Sequence, residues 1–173
     1  MARRPHDCLK HREERRATLD RPYRFSDSGL PNVFLVGIKC FQCKKCGEEV
    51  AEIPAIKDLM SLIARDLVGK REAFTGAEIR FLRKRLGKKA SDFAREIGVS
   101  PEYLSRVEND HESAGEGLDK LIRLTYAVAS KDETLLNQLK KALHELLASW
   151  IKTRKPKRIV ARVKDNVWTP AVA

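Results

Sequence analysis

The sequence predicts a mainly α-helical chain with a small β-containing module at its N-terminus. Three observations carry this. Residues 90–109, ASDFAREIGVSPEYLSRVEN, read as two short helices joined by a tight turn. Three longer stretches, opening at Ile56, Leu118 and Asp132, are amphipathic, with large apolar residues at helical spacing. The first 54 residues differ: short β-branched and aromatic runs, few large apolar side chains, and all four cysteines.

In chain order, residues 1–54 form the first unit. Tyr23–Phe25, Val33–Phe41 and Glu49–Ile53 read as short strands, separated by Gly, Pro, Asn and Ser. So small a segment with so little apolar bulk cannot bury much core, so it needs a staple. Cys43-x2-Cys46-Gly47 has the spacing of a zinc knuckle, in which two thiolates grip one ion and the glycine allows the tight turn. Cys8-x2-His11 has the same spacing. Structural zinc held by Cys8, His11, Cys43 and Cys46 would close two loops far apart in sequence and leave no position open for catalysis. Alternatives stay open. Cys40 is an extra thiol and would complete an all-cysteine site with Cys8, Cys43 and Cys46, Cys-x2-Cys-x2-Cys plus a remote cysteine also suits an iron–sulfur cluster, and His6 competes with His11. The plain alternative is scattered free thiols.

Residues 55–74 read as a connecting helix and linker. Ile56, Leu59, Met60, Leu62, Ile63 and Leu67 share one broad face, suited to packing on the first unit or on a partner subunit, and GKREAF follows as the linker. Residues 75–130 form the third unit. Thr75 and Glu78 make a capping box, and Ile79, Leu82 and Leu86 give the helix an apolar stripe. Arg80, Arg83, Lys84 and Arg85 read as mostly a solvated face, with one of them pairing with Glu108.

The run 90–109 is the most informative. Phe93, Ile97, Leu104 and Val107 are its apolar positions. Ala94 lets a second helix approach closely, Gly98 ends the first helix in a left-handed conformation, and Val99 plugs the corner. Ser100 caps the second helix and Pro101 suits its first position. These features in register describe a helix-turn-helix, whose second helix enters the DNA major groove.

Residues 110–130 close the third unit, and residues 131–173, a last helix and basic tail, complete the chain. DHESAGEG precedes the helix LDKLIRLTYAVAS, whose Leu118, Leu121, Ile122, Leu124 and Tyr126 can close the bundle. A last helix repeats Leu135, Leu136, Leu139, Leu143, Leu146, Leu147 and Trp150, suited to core or to a dimer seam. The basic tail from Thr153 contains a β-prone RIVARV, which fits a DNA-contacting arm, a docking strand or a disordered tail.

Composition agrees with a nucleic-acid partner. Lys and Arg number 35 against 24 Asp and Glu, a formal charge of +11. Such an excess favours a polyanion. No apolar run reaches the ~18 residues of a membrane span. MARRPHDCLKHREERR lacks the apolar core of a secretory signal. A cytoplasmic location, where thiols stay reduced, is expected. No Ser/His/Asp set, phosphate loop or His-Glu-x-x-His occurs, so an enzyme is not expected.

TGAEIRFLRKRLG followed by the 90–109 run resembles the Xre/Cro-like helix-turn-helix family. Its members end the recognition helix in Ser-Arg-x-Glu-Asn, here Ser105, Arg106, Glu108 and Asn109. YRFSDSGLPNVFLVGI and CKKCGEE resemble the zinc-binding domain of YgiT/MqsA-type proteins. The two resemblances cover roughly residues 5–130. They imply a structural zinc site, a lambda-repressor-like bundle, and a homodimer on palindromic double-stranded DNA. An antitoxin role, with a toxin protein as further partner, is the alternative. Two departures stand out: Cys8-x2-His11 replaces the usual Cys-x2-Cys, and Lys88-Lys89-Ala90 replaces Leu-Ser-Gln at the entry to the first helix of the motif. On the groove face the expected residues are Glu102, Tyr103 and Arg106, with Ser105 at the edge. Lys89, Ser91 and Ser100 would hold phosphates. Glu102 serves equally well as a favourable charge in a helix's first turn.

Overall fold

The structure, a computed structural model, describes residues 12–151, 161–164 and 167–170, with side chains described through residue 144. In order the elements are β1 (Arg12–Arg16), β2 (Tyr23–Arg24), β3 (Phe34–Leu35), β4 (Lys39–Cys43), β5 (Glu49–Glu52), α1 (Ile56–Gly69), α2 (Gly76–Arg85), α3 (Ala90–Glu96), α4 (Pro101–Glu108), α5 (Glu116–Ala129), α6 (Glu133–Ile151), β6 (Ala161–Lys164) and β7 (Val167–Pro170). The result is mostly helical with small N-terminal sheets, as expected.

The N-terminal sheets differ in detail from the expectation. β1, read only as a basic stretch, is the edge strand of an antiparallel sheet ordered β1-β4-β5. Its residues are all charged; the backbone ladder to β4 holds it, and ion pairs accompany the ladder, Glu13 to Lys44 at 3.3 Å, Glu14 to Lys39 at 3.9 Å and Arg15 to Glu49 at 2.5 Å. The expected strand Val33–Phe41 is broken into β3 and β4 at Gly37, which takes φ 78° and donates its N–H to the Ala17 carbonyl at 2.8 Å. A side chain at that φ would be strained. β3 pairs with β2 in a ladder of its own, and below it Leu30 joins the helical core.

Strand parity separates the cysteines. In the unbroken β1–β4 ladder, Cys40 stands opposite Arg15 and Cys43 opposite Arg12. Three residues apart on one strand, Cys40 and Cys43 therefore project to opposite faces of the sheet. Cys40 is fully buried near the Arg15–Glu49 pair, and burial pushes its thiol pKa up. Cys43 closes the other end of β4, where its N–H donates to the Glu48 carbonyl at 2.9 Å and its carbonyl accepts from Gly47 at 2.8 Å. Gly47 sits at φ 72°, the left-handed turn expected of a knuckle glycine. His6, Cys8 and His11 lie outside the described residues.

One apolar core runs through the helices. Ile79, Leu82, Phe93, Ala94, Leu104 and Ile122 are fully buried, and Leu67, Phe74, Val107, Tyr126 and Leu135 join them. The stretch GKREAF is not loose. Arg123 of α5 donates to the carbonyls of Leu67, Val68, Lys70 and Glu72 and stacks over Phe74 with its guanidinium carbon 4.1 Å from the ring centroid. Those carbonyls include ones the end of α1 leaves without helical partners. Asp119 holds Arg123 at 2.6 Å and accepts the Phe74 N–H at 2.7 Å. α1 is thereby fastened to the bundle. Of its six expected apolar positions, Leu67 is buried, Leu59, Met60 and Ile63 are half-buried, and Ile56 and Leu62 are exposed. At the far end, the last three residues of RIVARV fall in β6, which pairs antiparallel with β7, and its first three lie outside the described residues.

Candidate nucleic-acid interface

The helix-turn-helix is built by local chemistry first. α3 ends in two reverse bonds: Gly98 donates to the Arg95 carbonyl at 3.3 Å and Val99 to the Ala94 carbonyl at 2.9 Å. Gly98 takes φ 70°. This is the Schellman arrangement, and it turns the chain within two residues. Val99 packs half-buried against the core. Ser100 caps α4, its hydroxyl oxygen accepting the Tyr103 N–H at 3.1 Å, and Pro101 occupies the first turn. α2 starts with the expected capping box between Thr75 and Glu78, to which Lys70 adds an ion pair at 2.6 Å.

Packing then fixes the angle of α4. Its buried face is Leu104, Val107 and Glu108. Glu108 receives a two-pronged contact from Arg83, Nε at 2.6 Å and a terminal nitrogen at 2.7 Å. This geometry matches a guanidinium to a carboxylate. The hydrogen bonds and charge of Glu108 hold Arg83 still more firmly protonated than a free arginine. Arg80 donates to the Glu108 carbonyl and to the Asn109 side chain, both at 2.6 Å. The solvated-face reading of the α2 cations holds for Lys84 alone: Arg83 is buried, and Arg80 and Arg85 are half-buried. Asn109 is a structural bridge, since it also donates to the Ser105 carbonyl at 2.7 Å.

Two residues that sequence reasoning passed over complete this joint. Gly76 opens α2 directly against the end of α4. A Cβ there would lie 2.3 Å from the Val107 carbonyl oxygen. Asp110 follows α4 at φ 56°, where glycine is usual. Its carboxylate accepts the Gly76 N–H at 2.6 Å, which explains why aspartate stands there in spite of the strain. The available signals were a glycine in the first turn of a capped helix, where alanine is better, and an Asp where a terminating Gly belongs.

What α4 presents outward is Glu102, Ser105 and Arg106, all exposed, with Tyr103 half-buried beside them. The Arg106 guanidinium lies 5.7 Å from the Tyr103 ring centroid, and its Nε contacts Glu112 at 2.9 Å. Lys89 and Ser91, at the start of α3, and Ser100 are likewise exposed. Lys89 is the N-cap residue of α3 and, having only donors on its side chain, makes no capping bond. Neighbouring Lys88 is paired with Glu96. The Ser100 oxygen serves the helix, and its hydroxyl proton remains available to donate.

Among the described residues no group of three or more His, Cys, Asp or Glu side chains could hold a metal ion, and no helix is long and apolar enough to cross a membrane.

A family model described as helix-turn-helix, of the Xre/Cro-like kind, matches residues 79–122, from within α2 into α5. That segment contains α3, α4 and every residue named above for base or phosphate contact. The match indicates a DNA-binding regulator of transcription, with double-stranded DNA as its partner. Neither a curated protein nor a solved structure matches the chain.

Proposed function

We propose that the chain is a sequence-specific regulator that reads operator DNA with the outer face of α4. The observation that carries this is the rigid seating of α4 by Arg83–Glu108 and Gly76–Asp110 while Arg106, Glu102 and Ser105 stay exposed. Arg106 suits a bidentate contact to guanine O6 and N7, Glu102 accepts from cytosine, and Tyr103 contacts a thymine methyl or a phosphate. Lys89, Ser91 and Ser100 fix the register on the backbone. The charge of +11 supplies the sequence-independent attraction. The role is binding, without chemistry on a substrate.

Arg106→Ala is expected to weaken operator binding by about 1–3 kcal/mol while leaving binding to random-sequence duplex nearly unchanged. Titration of both duplexes by fluorescence anisotropy checks this. An equal loss on both would remove Arg106 from the groove face.

The finer reading adds a structural zinc site and a homodimer on a palindrome. Cys43 is buried and Cys46 half-buried at a turn with the backbone of a knuckle. Arg12 stands opposite Cys43, so the chain reaches β1 beside this turn, and His11 and Cys8 precede Arg12 by one and four positions. Cys8, His11, Cys43 and Cys46 would hold the ion, which would tie the start of the chain to the β4–β5 turn. Strand parity, which puts Cys40 and Cys43 on opposite faces of the sheet, supports a ligand set without Cys40. One zinc per chain, lost on Cys43→Ser and retained on Cys40→Ser, is the expected metal analysis. Iron, or no metal in protein prepared without chelator, would contradict it.

A second reading is an antitoxin that also neutralises a protein toxin, for which an apolar groove of about 390 Å³ between β3 and α1 would be the docking surface. Leu30, Val33, Leu59 and Ile63 line it, with exposed Phe34 and Leu62 at the rim. Relief of growth arrest by a toxin encoded beside this chain, lost on Leu62→Lys, would establish that role.

A further inference from the structure

We propose that Glu112 is a positioning residue for DNA recognition, holding Arg106 by Nε so that its two terminal nitrogens face a guanine end-on. This rests on the reading of α4 as the recognition helix. A guanidinium carries five N–H donors in a fixed fork with two edges that can donate in pairs, and guanine in the major groove offers two acceptors, O6 and N7. An arginine free to swing can approach with Nε and one terminal nitrogen, or with both terminal nitrogens. Here the first choice is disfavoured. Nε of Arg106 is committed to the Glu112 carboxylate at 2.9 Å. The guanidinium also lies 5.7 Å from the Tyr103 ring centroid.

The loop that carries Glu112 is itself fixed. After α4, Asp110 donates to the Val107 carbonyl at 3.1 Å and His111 to the Arg106 carbonyl at 2.9 Å. Asp110 at φ 56° turns the chain, and its carboxylate is tied to Gly76. The turn returns the chain over the last turn of α4, and Glu112 reaches Arg106 six positions back. The same joint that seats α4 therefore places the group that aims its arginine.

The pair is not there for stability. Its side chains are 53% and 44% exposed, and an ion pair so exposed contributes little to folding. Its effect is on discrimination. A carboxylate at the DNA surface opposes non-specific attraction to phosphate, and removing it favours every duplex alike. Losing the alignment costs only the matched site. The two effects separate in a ratio.

The test measures affinity for an operator and for the same operator with the Arg106-contacted guanine replaced by adenine. Wild type, Glu112→Ala, Glu112→Gln, Arg106→Ala and the double variant Glu112→Ala/Arg106→Ala are compared. The matched-to-mismatched ratio is expected to fall roughly 3- to 10-fold in Glu112→Ala, a part of what a bidentate base contact supplies. Glu112→Gln, which keeps an acceptor for Nε without the charge, should recover much of the ratio. Glu112→Ala should leave the ratio unchanged in the Arg106→Ala background, because its effect on discrimination acts through that side chain. If Glu112→Ala shifts both duplexes by the same factor, Glu112 is only a surface charge and the inference is overturned. If wild type itself shows no preference between duplexes, the reading of α4 fails and takes this inference with it, an outcome visible before any Glu112 variant is compared.

Discussion

Glu108→Ala is expected to destabilise the helical bundle by about 3–5 kcal/mol, because it leaves the Arg83 charge buried without its partner. Arg83 and Glu108 side chains are only 11% and 5% exposed, and both guanidinium contacts are lost together. Arg83 keeps one contact, from a terminal nitrogen to the Lys88 carbonyl at 2.9 Å, which cannot neutralise it. The loss is a large share of the 5–15 kcal/mol typical of a folded domain. Urea unfolding followed by circular dichroism measures it. Glu108→Gln, which keeps the shape and one acceptor, should lose less. A Glu108→Ala midpoint near that of the wild type would mean that the pair does not seat α4.

Gly76→Ala is the second large effect, and it adds only one methyl group. That methyl would sit 2.3 Å from the Val107 carbonyl oxygen and 2.7 Å from the Glu108 carbonyl. These are backbone atoms at the end of α4, so no side chain can turn aside. Either the first turn of α2 withdraws, breaking the Gly76–Asp110 bond at 2.6 Å, or α4 shifts along its axis. Overpacking of this kind costs about 1–3 kcal/mol in ordinary cores, and a rigid backbone neighbour puts it at the upper end or beyond. Alanine is intrinsically better than glycine in a helix by up to ~1 kcal/mol, so the sign of the result is itself informative. A stabilised Gly76→Ala would mean that α2 and α4 do not approach this closely.

The parts of this architecture that were legible in the sequence are those encoded locally. Helical spacing of Phe93, Ile97, Leu104 and Val107, the cap Ser100, the turn at Gly98 and the Thr75–Glu78 box act within a few residues, and each forms as expected. The structural pairing of an α2 arginine with Glu108 was also readable, though not which arginine. What escaped is held by contacts distant in sequence. REERR becomes β1 through its backbone ladder to β4, a pairing distant in sequence, with Lys39, Lys44 and Glu49 placed opposite its charges. The reach of Arg123 to four carbonyls more than fifty positions away leaves no local trace, so α1 and GKREAF read as a connection instead of as part of the bundle. Gly76 and Asp110 left faint signals, since their departure from helix rules makes sense only once α4 lies against them. The same separation holds for the site. Arg106 is recognisable from the pattern around it, whereas Glu112, in a loop of small and acidic residues, is noticeable only from its 2.9 Å contact.

The most direct test of the central claim is selection of bound sequences from a random duplex pool, with wild-type protein and Arg106→Ala in parallel. Wild type is expected to enrich a defined motif containing a guanine, and Arg106→Ala the same motif with that one position relaxed. Enrichment of no motif by the wild type, or an unchanged motif from Arg106→Ala, would contradict the claim.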